Sequence, residues 1–112
     1  MTMREIPKDR WTEDLDAFSR EHAGLIVRLL VTGGDSRSRT EVRNLPLQGV
    51  SVDSTRGASI GIMIGRKPGD HVTHEISNAQ TVEIERSDKG AARALRVRGA
   101  DGSTAILEIA AE

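Results

Sequence analysis

The spacing of apolar residues changes once along this chain, and that change restricts the folds open to it. Before Gly24, Trp11, Leu15 and Phe18 recur with the 3.6-residue period of a helix. After Gly24 the apolar positions follow the period of two that is typical of β-strands, almost to the end of the chain. One helix followed by many strands predicts an α+β fold.

The helix is predicted over about residues 9–22. His22 extends the apolar face by one further position, and Pro7 suits the start of the first turn. Gly24 is well placed to end the helix in the left-handed conformation. We expect the apolar stripe to hold the helix against the β-rich part of the chain, with its three large apolar side chains buried.

Seven to eight short strands are predicted over about residues 25–110. The predicted strands are 25–32, 37–43, 48–54, 58–65, 71–76, 81–86, 94–98 and 103–109. No second helical pattern is available as a parallel crossover, so we expect a mainly antiparallel meander, forming a curled sheet or a small barrel-like fold. Asp101-Gly102 is a strong hairpin signal before the last strand.

Two of these strands carry specific expectations. Residues 25–32 are apolar almost throughout, which predicts a strand covered on both faces. Residues 103–109 carry Glu108 as their one charge, so we expect this strand to be the likelier site of self-association if its edge is open.

Length and composition exclude several classes of protein. A chain of 112 residues fits a single domain, 1–112, and the absence of cysteine excludes disulfide frameworks and thiolate metal sites. A net charge of −1 and only two aromatic residues argue against a nucleic-acid or membrane-surface binder. No apolar run approaches the ~20 residues of a membrane span, and no signal-peptide pattern occurs, so we expect a cytoplasmic protein.

Three motifs together resemble a known family. In chain order they are Arg4-Glu5-Ile6-Pro7 with Trp11, Phe18-Ser19-Arg20-Glu21-His22 with Gly24, and Asp70-His71-Val72-Thr73-His74. The chain is similar to a family of small bacterial proteins catalogued as a domain of unknown function. The resemblance implies a soluble, stand-alone bacterial protein and supplies no catalytic residues.

Histidine chemistry is concentrated between Asp70 and His74. Imidazole titrates near neutral pH and is the commonest metal ligand, so His71 and His74 would chelate a metal if they lay on an irregular turn. A strand would send the two rings to opposite faces, and the alternation here favours a strand. A third ligand could be His22, Glu75 or Asp53, but no sequence pattern places any of them nearby. We expect a structural role for Asp70, the two histidines of this segment and His22, with no metal and no cofactor, because a credible zinc site needs three or four protein ligands.

Arginines form two clusters, and carboxylates interrupt or face both of them. The clusters are Arg37, Arg39 and Arg43, interrupted by Glu41, and Arg93, Arg96 and Arg98. Glu83 and Glu85 are predicted to pair with Arg96 and Arg98 across neighbouring strands. This pattern is typical of a solvated, salt-bridged sheet face.

The sequence therefore favours a non-enzymatic module that binds a protein, a second copy of itself or a small molecule. Two alternatives stay open: a metal-dependent or acid–base enzyme centred on Asp70, His71 and His74, and an RNA-associated module that uses the arginine clusters. Metal analysis of untagged protein separates the first alternative from the leading interpretation. Salt-dependent retention on heparin or RNA tests the second, because phosphate contacts weaken as salt rises.

Overall fold

The computed structural model describes residues 2–33, 38–53, 58–66 and 70–110, without the side chains of Thr2 and of residues 38–42. Its elements, in chain order, are β1 (Thr2–Glu5), a short 3-10 helix (Lys8–Arg10), α1 (Trp11–His22), β2 (Ile26–Thr32), β3 (Ser38–Asp53), β4 (Ser59–Ile64), β5 (Val72–Ile76), β6 (Ala79–Arg86), β7 (Ala92–Gly99) and β8 (Thr104–Ile109). The predicted helix is confirmed, and Gly24 has the expected positive φ of 87°.

The strands form one eight-stranded sheet in the order β1-β6-β7-β8-β2-β3-β4-β5. Every pairing is antiparallel. β1 and β5 each have one strand neighbour within the described residues, so the sheet is open. It curls nonetheless, since a Cβ on Gly99 of β7 would lie only 3.1 Å from Ile76 Cγ2 of β5. The predicted α+β class with a curled antiparallel sheet is confirmed, and the described sheet does not close into a barrel.

The predicted strands 37–43 and 48–54 are one 16-residue strand, β3. Residues 38–46 of β3 pair with β2, and residues 47–53 pair with β4. Arg43 and Asn44 together lie opposite Arg28 of β2, which makes a bulge, and Asn44 has a φ of 57°. Asparagine tolerates this left-handed conformation better than most residues, so the strand bends here without ending.

The bend divides the sheet into two parts, a large segment and a small segment. The large segment comprises β1, β6, β7, β8, β2 and residues 38–46 of β3, and the small segment comprises residues 47–53 of β3 with β4 and β5. The apolar residues that face inward from both segments form one buried cluster. In β4 these are Ile60, Ile62 and Ile64, as the alternation predicts.

One expectation about an individual strand is wrong, and the condition attached to another is not met. In β2 the burial alternates, with Val27, Leu29 and Val31 buried and Ile26 37% exposed, because only one face of this strand is covered. β8 is not an edge, because it lies between β7 and β2. Strand order follows from which strands pair across long loops, and strand composition does not reveal it.

A strand before the helix is absent from the sequence prediction, yet β1 pairs with β6 over four residues. In this register Arg4 lies opposite Ile84, and Met3 lies opposite Glu85. Four residues of which two are charged are too few to display a strand period, which explains the omission.

Helix α1 docks through the stripe that the sequence identifies. Trp11, Leu15 and Phe18 are each at most 2% exposed, which confirms their predicted burial. Trp11 Nε1 donates a hydrogen bond of 3.0 Å to the carbonyl oxygen of Ile6. Because Ile6 N in turn donates to the carbonyl of Val82 in β6 at 2.7 Å, the helix and the N-terminal segment are anchored to the same strand.

The predicted Asp-Gly hairpin joins β7 to β8. Gly102 has a φ of 88°, and Asp101 Oδ1 accepts hydrogen bonds from Ser103 Oγ at 2.6 Å and from Ser103 N at 2.9 Å. These two bonds, the side-chain bond first, lower the pKa of Asp101 below its ordinary value. The Asp101 carboxylate therefore stabilises the turn between β7 and β8.

Candidate functional site

Asp70 closes the connection between β4 and β5. Its Oδ1 accepts a hydrogen bond of 2.8 Å from the backbone N of Arg66, and its Oδ2 lies 3.9 Å from Arg66 Nη1. The half-buried side chain thus holds together the two described ends of the connection between β4 and β5.

His71 and His74 lie on opposite sides of the small segment. His71 directly precedes β5 and is exposed, whereas His74 is half-buried and shares a face with Val72 and Ile76. His74 lies opposite Ile62 of β4 in the register. The strand geometry that the sequence favours is therefore confirmed, and the two imidazoles do not converge.

His22 belongs to the end of α1. Its ring centroid lies 4.3 Å from that of Phe18, and its Nδ1 is 2.7 Å from the Phe18 carbonyl oxygen. Among the described residues, no three side chains of metal-ligating type lie close enough together to hold an ion. The expectation that the protein carries no transition metal stays a prediction.

The second arginine cluster is partly neutralised. Arg96 binds Glu83 across β6 and β7 through Nε at 2.9 Å and Nη2 at 2.5 Å, as predicted. The predicted pair between Glu85 and Arg98 is wrong, because Arg98 lies opposite Thr81 in the register and Glu85 lies opposite Ala94. In the first cluster Arg43 is exposed, while Arg37 and the side chain of Arg39 lie outside what the structure describes.

A cleft lies elsewhere in the described part of the chain, between α1 and the strands β1 and β6. This cleft has a volume of about 520 Å³. Its lining comprises Arg4, Glu5, Ile6, Pro7, Arg10, Asp14, Ala17, Phe18, Glu21, Ile84 and Arg86. Ile6, Phe18 and Ile84 are buried and form an apolar floor, and charged residues form the rim.

The β-strand wall of the cleft carries two neighbouring arginines. Arg4 lies opposite Ile84, and Arg86 follows Ile84 by two residues on the same strand, so the two arginines are diagonal neighbours on one face of the sheet. Arg86 Nη1 donates to the Gly90 carbonyl at 3.1 Å. Arg4 has no hydrogen-bond or ion-pair partner within the residues that the structure describes.

The helix wall is acidic, and part of its charge is already paired. Arg10 binds Glu13 Oε2 at 2.7 Å and Asp14 Oδ1 at 3.0 Å. Glu21, in the last turn of α1, is exposed and has no partner among the described residues. The cleft thus has the guanidinium of Arg4 on one wall and the carboxylate of Glu21 on the other, and neither group has a partner among the described residues.

The sequence pattern alone does not reveal this cleft. The residues of Arg4-Glu5-Ile6-Pro7 contribute to the resemblance described above, yet their position in the cleft depends on β1 lying beside β6, some 80 positions further along the chain. The available signal was the placement of Ile6 between charged residues near the helix start. No local pattern places Arg4 beside Arg86.

Comparison with known proteins supports the resemblance that the sequence motifs indicate. Residues 2–111 match a family of unknown function, DUF5335. Neither a curated protein nor a solved structure matches the chain. None of the helices in the described part of the chain combines the length and apolarity that a membrane span requires. Since the match extends over nearly all of its residues, the chain belongs to DUF5335, a family of unknown function.

Proposed function

We propose that this protein is a non-enzymatic binding module, and that its ligand is a small organic anion with an apolar portion. The cleft between α1 and β1 is the proposed binding site. The observation that carries the proposal is the combination, in one cleft, of an apolar floor and the uncommitted guanidinium of Arg4.

The size and lining of the cleft support a small molecule as ligand. Ligand sites are typically concavities of about 300–1,000 Å³ with apolar surfaces and a few orienting polar groups. A volume of about 520 Å³ falls within that range. The side chains of Ile6, Phe18 and Ile84 would contact the apolar portion of the ligand.

The arginine pair supports a negatively charged group on that ligand. Arg4 and Arg86 place two positive charges side by side, which is unfavourable unless an anion lies between them. A guanidinium binds a carboxylate through two parallel N–H···O bonds, which gives both affinity and orientation. The anionic group of the ligand is therefore assigned to the β1 wall.

The acidic helix wall limits the ligand to one anionic group. A second anionic group would face Glu21, whereas a neutral or cationic end is compatible with that carboxylate. A monocarboxylate with a short aliphatic chain is the simplest probe with these properties.

The test compares hexanoate, hexanol and hexylamine by heteronuclear NMR titration of the protein. Hexanoate is expected to shift the amide signals of Ile6, Ala17 and Ile84 and to bind more tightly than the other two probes. Arg4→Gln should weaken hexanoate binding about tenfold or more, because a charge-assisted hydrogen-bonded pair is lost. Arg98→Gln is the matched control, since it makes the same charge change at an exposed position outside the cleft lining.

The same titration separates this function from the histidine-centred alternative. The double variant His71→Ala and His74→Ala is expected to bind hexanoate as the parent does. Equal binding of the three probes, shifts confined to residues outside the cleft, or equal effects of Arg4→Gln and Arg98→Gln would each contradict the proposal.

A further inference from the structure

Among the described strands, β5 has a neighbour on one side only. β5 pairs with β4 from Val72 to Ile76, and no other described strand is hydrogen-bonded to it. An edge of this kind carries unpaired backbone N–H and C=O groups and accepts another strand readily. Its occupant can be identified from the side chains that flank it.

The exposed face of β5 carries an imidazole at one end and a carboxylate at the other. His71, Thr73 and Glu75 are all exposed and alternate with the half-buried or buried residues of the strand. Neither His71 nor Glu75 has a hydrogen-bond or ion-pair partner among the described residues. Their neighbours on β4, Gly61 opposite Glu75 and Met63 opposite Thr73, are uncharged.

We propose that two copies of this chain associate by antiparallel pairing of their β5 strands about a two-fold axis at Thr73. In this register His71 of each copy lies opposite Glu75 of the other, and Val72 lies opposite His74. Opposite charges directly across an antiparallel pair are stabilising, so the edge is complementary to itself. The two small segments would then form one continuous six-stranded sheet.

The neighbouring registers lack this complementarity. An axis at Val72 would set His71 opposite Thr73, and an axis at His74 would set Thr73 opposite Glu75. The pairing of His71 with Glu75 thus selects the register at Thr73. The β1 edge offers no such match, since an axis at Arg4 would bring two arginines together.

Cross-linking tests the register directly, because the chain contains no cysteine of its own. Thr73→Cys places the new thiols of two copies opposite each other, where Cα atoms lie about 4.5–5.5 Å apart, within disulfide range. Mild oxidation should link this variant into a covalent dimer much faster than His71→Cys or Thr12→Cys. Thr12 is an exposed position on α1 and controls for random collision.

Charge variants test the complementarity, with the dimer measured by sedimentation at about pH 6, where free histidine is mostly cationic. Glu75→Lys should shift the monomer–dimer equilibrium toward monomer, and the exchanged pair His71→Glu with Glu75→Lys should restore the dimer. Asp16→Lys makes the same charge change on α1 and should leave association unaltered. A folded spectrum is required of each variant.

Three results would overturn the proposal. They are a parent protein that stays monomeric at millimolar concentration, equal cross-linking of Thr73→Cys and Thr12→Cys, and equal association of the Glu75→Lys and parent proteins. If Glu75→Lys proves unfolded, Glu75→Gln replaces it, and the cross-linking result stands on its own.

Discussion

The two edges of the small segment differ in how their backbone hydrogen bonds are completed. On the β3 side, α1 and the connection that follows it supply the missing hydrogen bonds: Ser19 Oγ accepts from Val50 N at 2.8 Å, Gly24 N donates to Leu47 O at 2.8 Å, and Leu47 N donates to Leu25 O at 2.9 Å. On the β5 side, no described element performs this role. A strand edge can therefore be completed by a hydroxyl and a loop as well as by another strand.

The difference follows from where the helix is anchored. Trp11 and Phe18 are buried in the core beside β6, and this places the other end of α1 along residues 47–53 of β3. β5 lies two strands away from that position, beyond the reach of the helix. One edge is thus protected by tertiary packing, and no described element covers the other in this way.

Of the variants considered, removal of the Trp11 side chain, which anchors α1, should have the largest effect on the protected β3 edge. Trp11→Ala is expected to lower the free energy of unfolding by about 3–5 kcal/mol, because a fully buried indole and its hydrogen bond to Ile6 are lost. Chemical denaturation followed by circular dichroism measures the change. A midpoint close to that of the parent would show that the helix does not protect the β3 edge through this residue.

Altering the turn before β5 should have the next largest effect. Gly65 has a φ of 134°, and a Cβ there would lie 2.7 Å from the Asp70 carbonyl oxygen and 2.8 Å from His71 Cα. Gly65→Ala should destabilise the fold by about 1–3 kcal/mol, since it enforces backbone strain, and should displace β5.

Gly61→Ala, in β4 four residues before Gly65, is the matched control. A Cβ at Gly61 meets only Ser51 Oγ, at 3.4 Å, and the backbone there does not have a positive φ. Thermal melts of the two variants should differ clearly, with Gly65→Ala the less stable. Equal melting temperatures would contradict the view that the close approach at Gly65 determines the position of β5.

The smallest of the three effects is expected at Ser19. Ser19→Ala leaves the N–H and C=O of Val50 without their partner and should cost about 1 kcal/mol, the lower end of the penalty for an unsatisfied polar group, because these bonds are only partly buried. Hydrogen exchange of the Val50 amide should accelerate specifically. Ser51→Ala, at the exposed neighbouring position, should change neither stability nor exchange, and equal behaviour of the two variants would exclude the edge-completing role of Ser19.

Ser19 also illustrates what sequence patterns convey about sites. Its position one helical turn before His22 does not by itself indicate a nucleophile–base pair, and its hydroxyl lies 2.8 Å from the Leu15 carbonyl oxygen and binds β3. His22 instead contacts Phe18. The hydrogen bonds that occupy both side chains come from groups 4 and 31 positions away, and only the short-range ones are foreseeable from spacing.

The sequence by itself determined the helix, the inward faces of β4, β6 and β7, the hairpin at Gly102 and the strand geometry around His74. These features depend on residues that are neighbours in the chain, where side-chain period and turn preference act directly. The tertiary structure decided the strand order, the continuity of β3, the burial of β8 between two neighbours and the cleft beside Arg4. Those features arise from pairing between strands that are distant in sequence, such as β1 with β6, and many strand orders satisfy the same local periods until the core is packed.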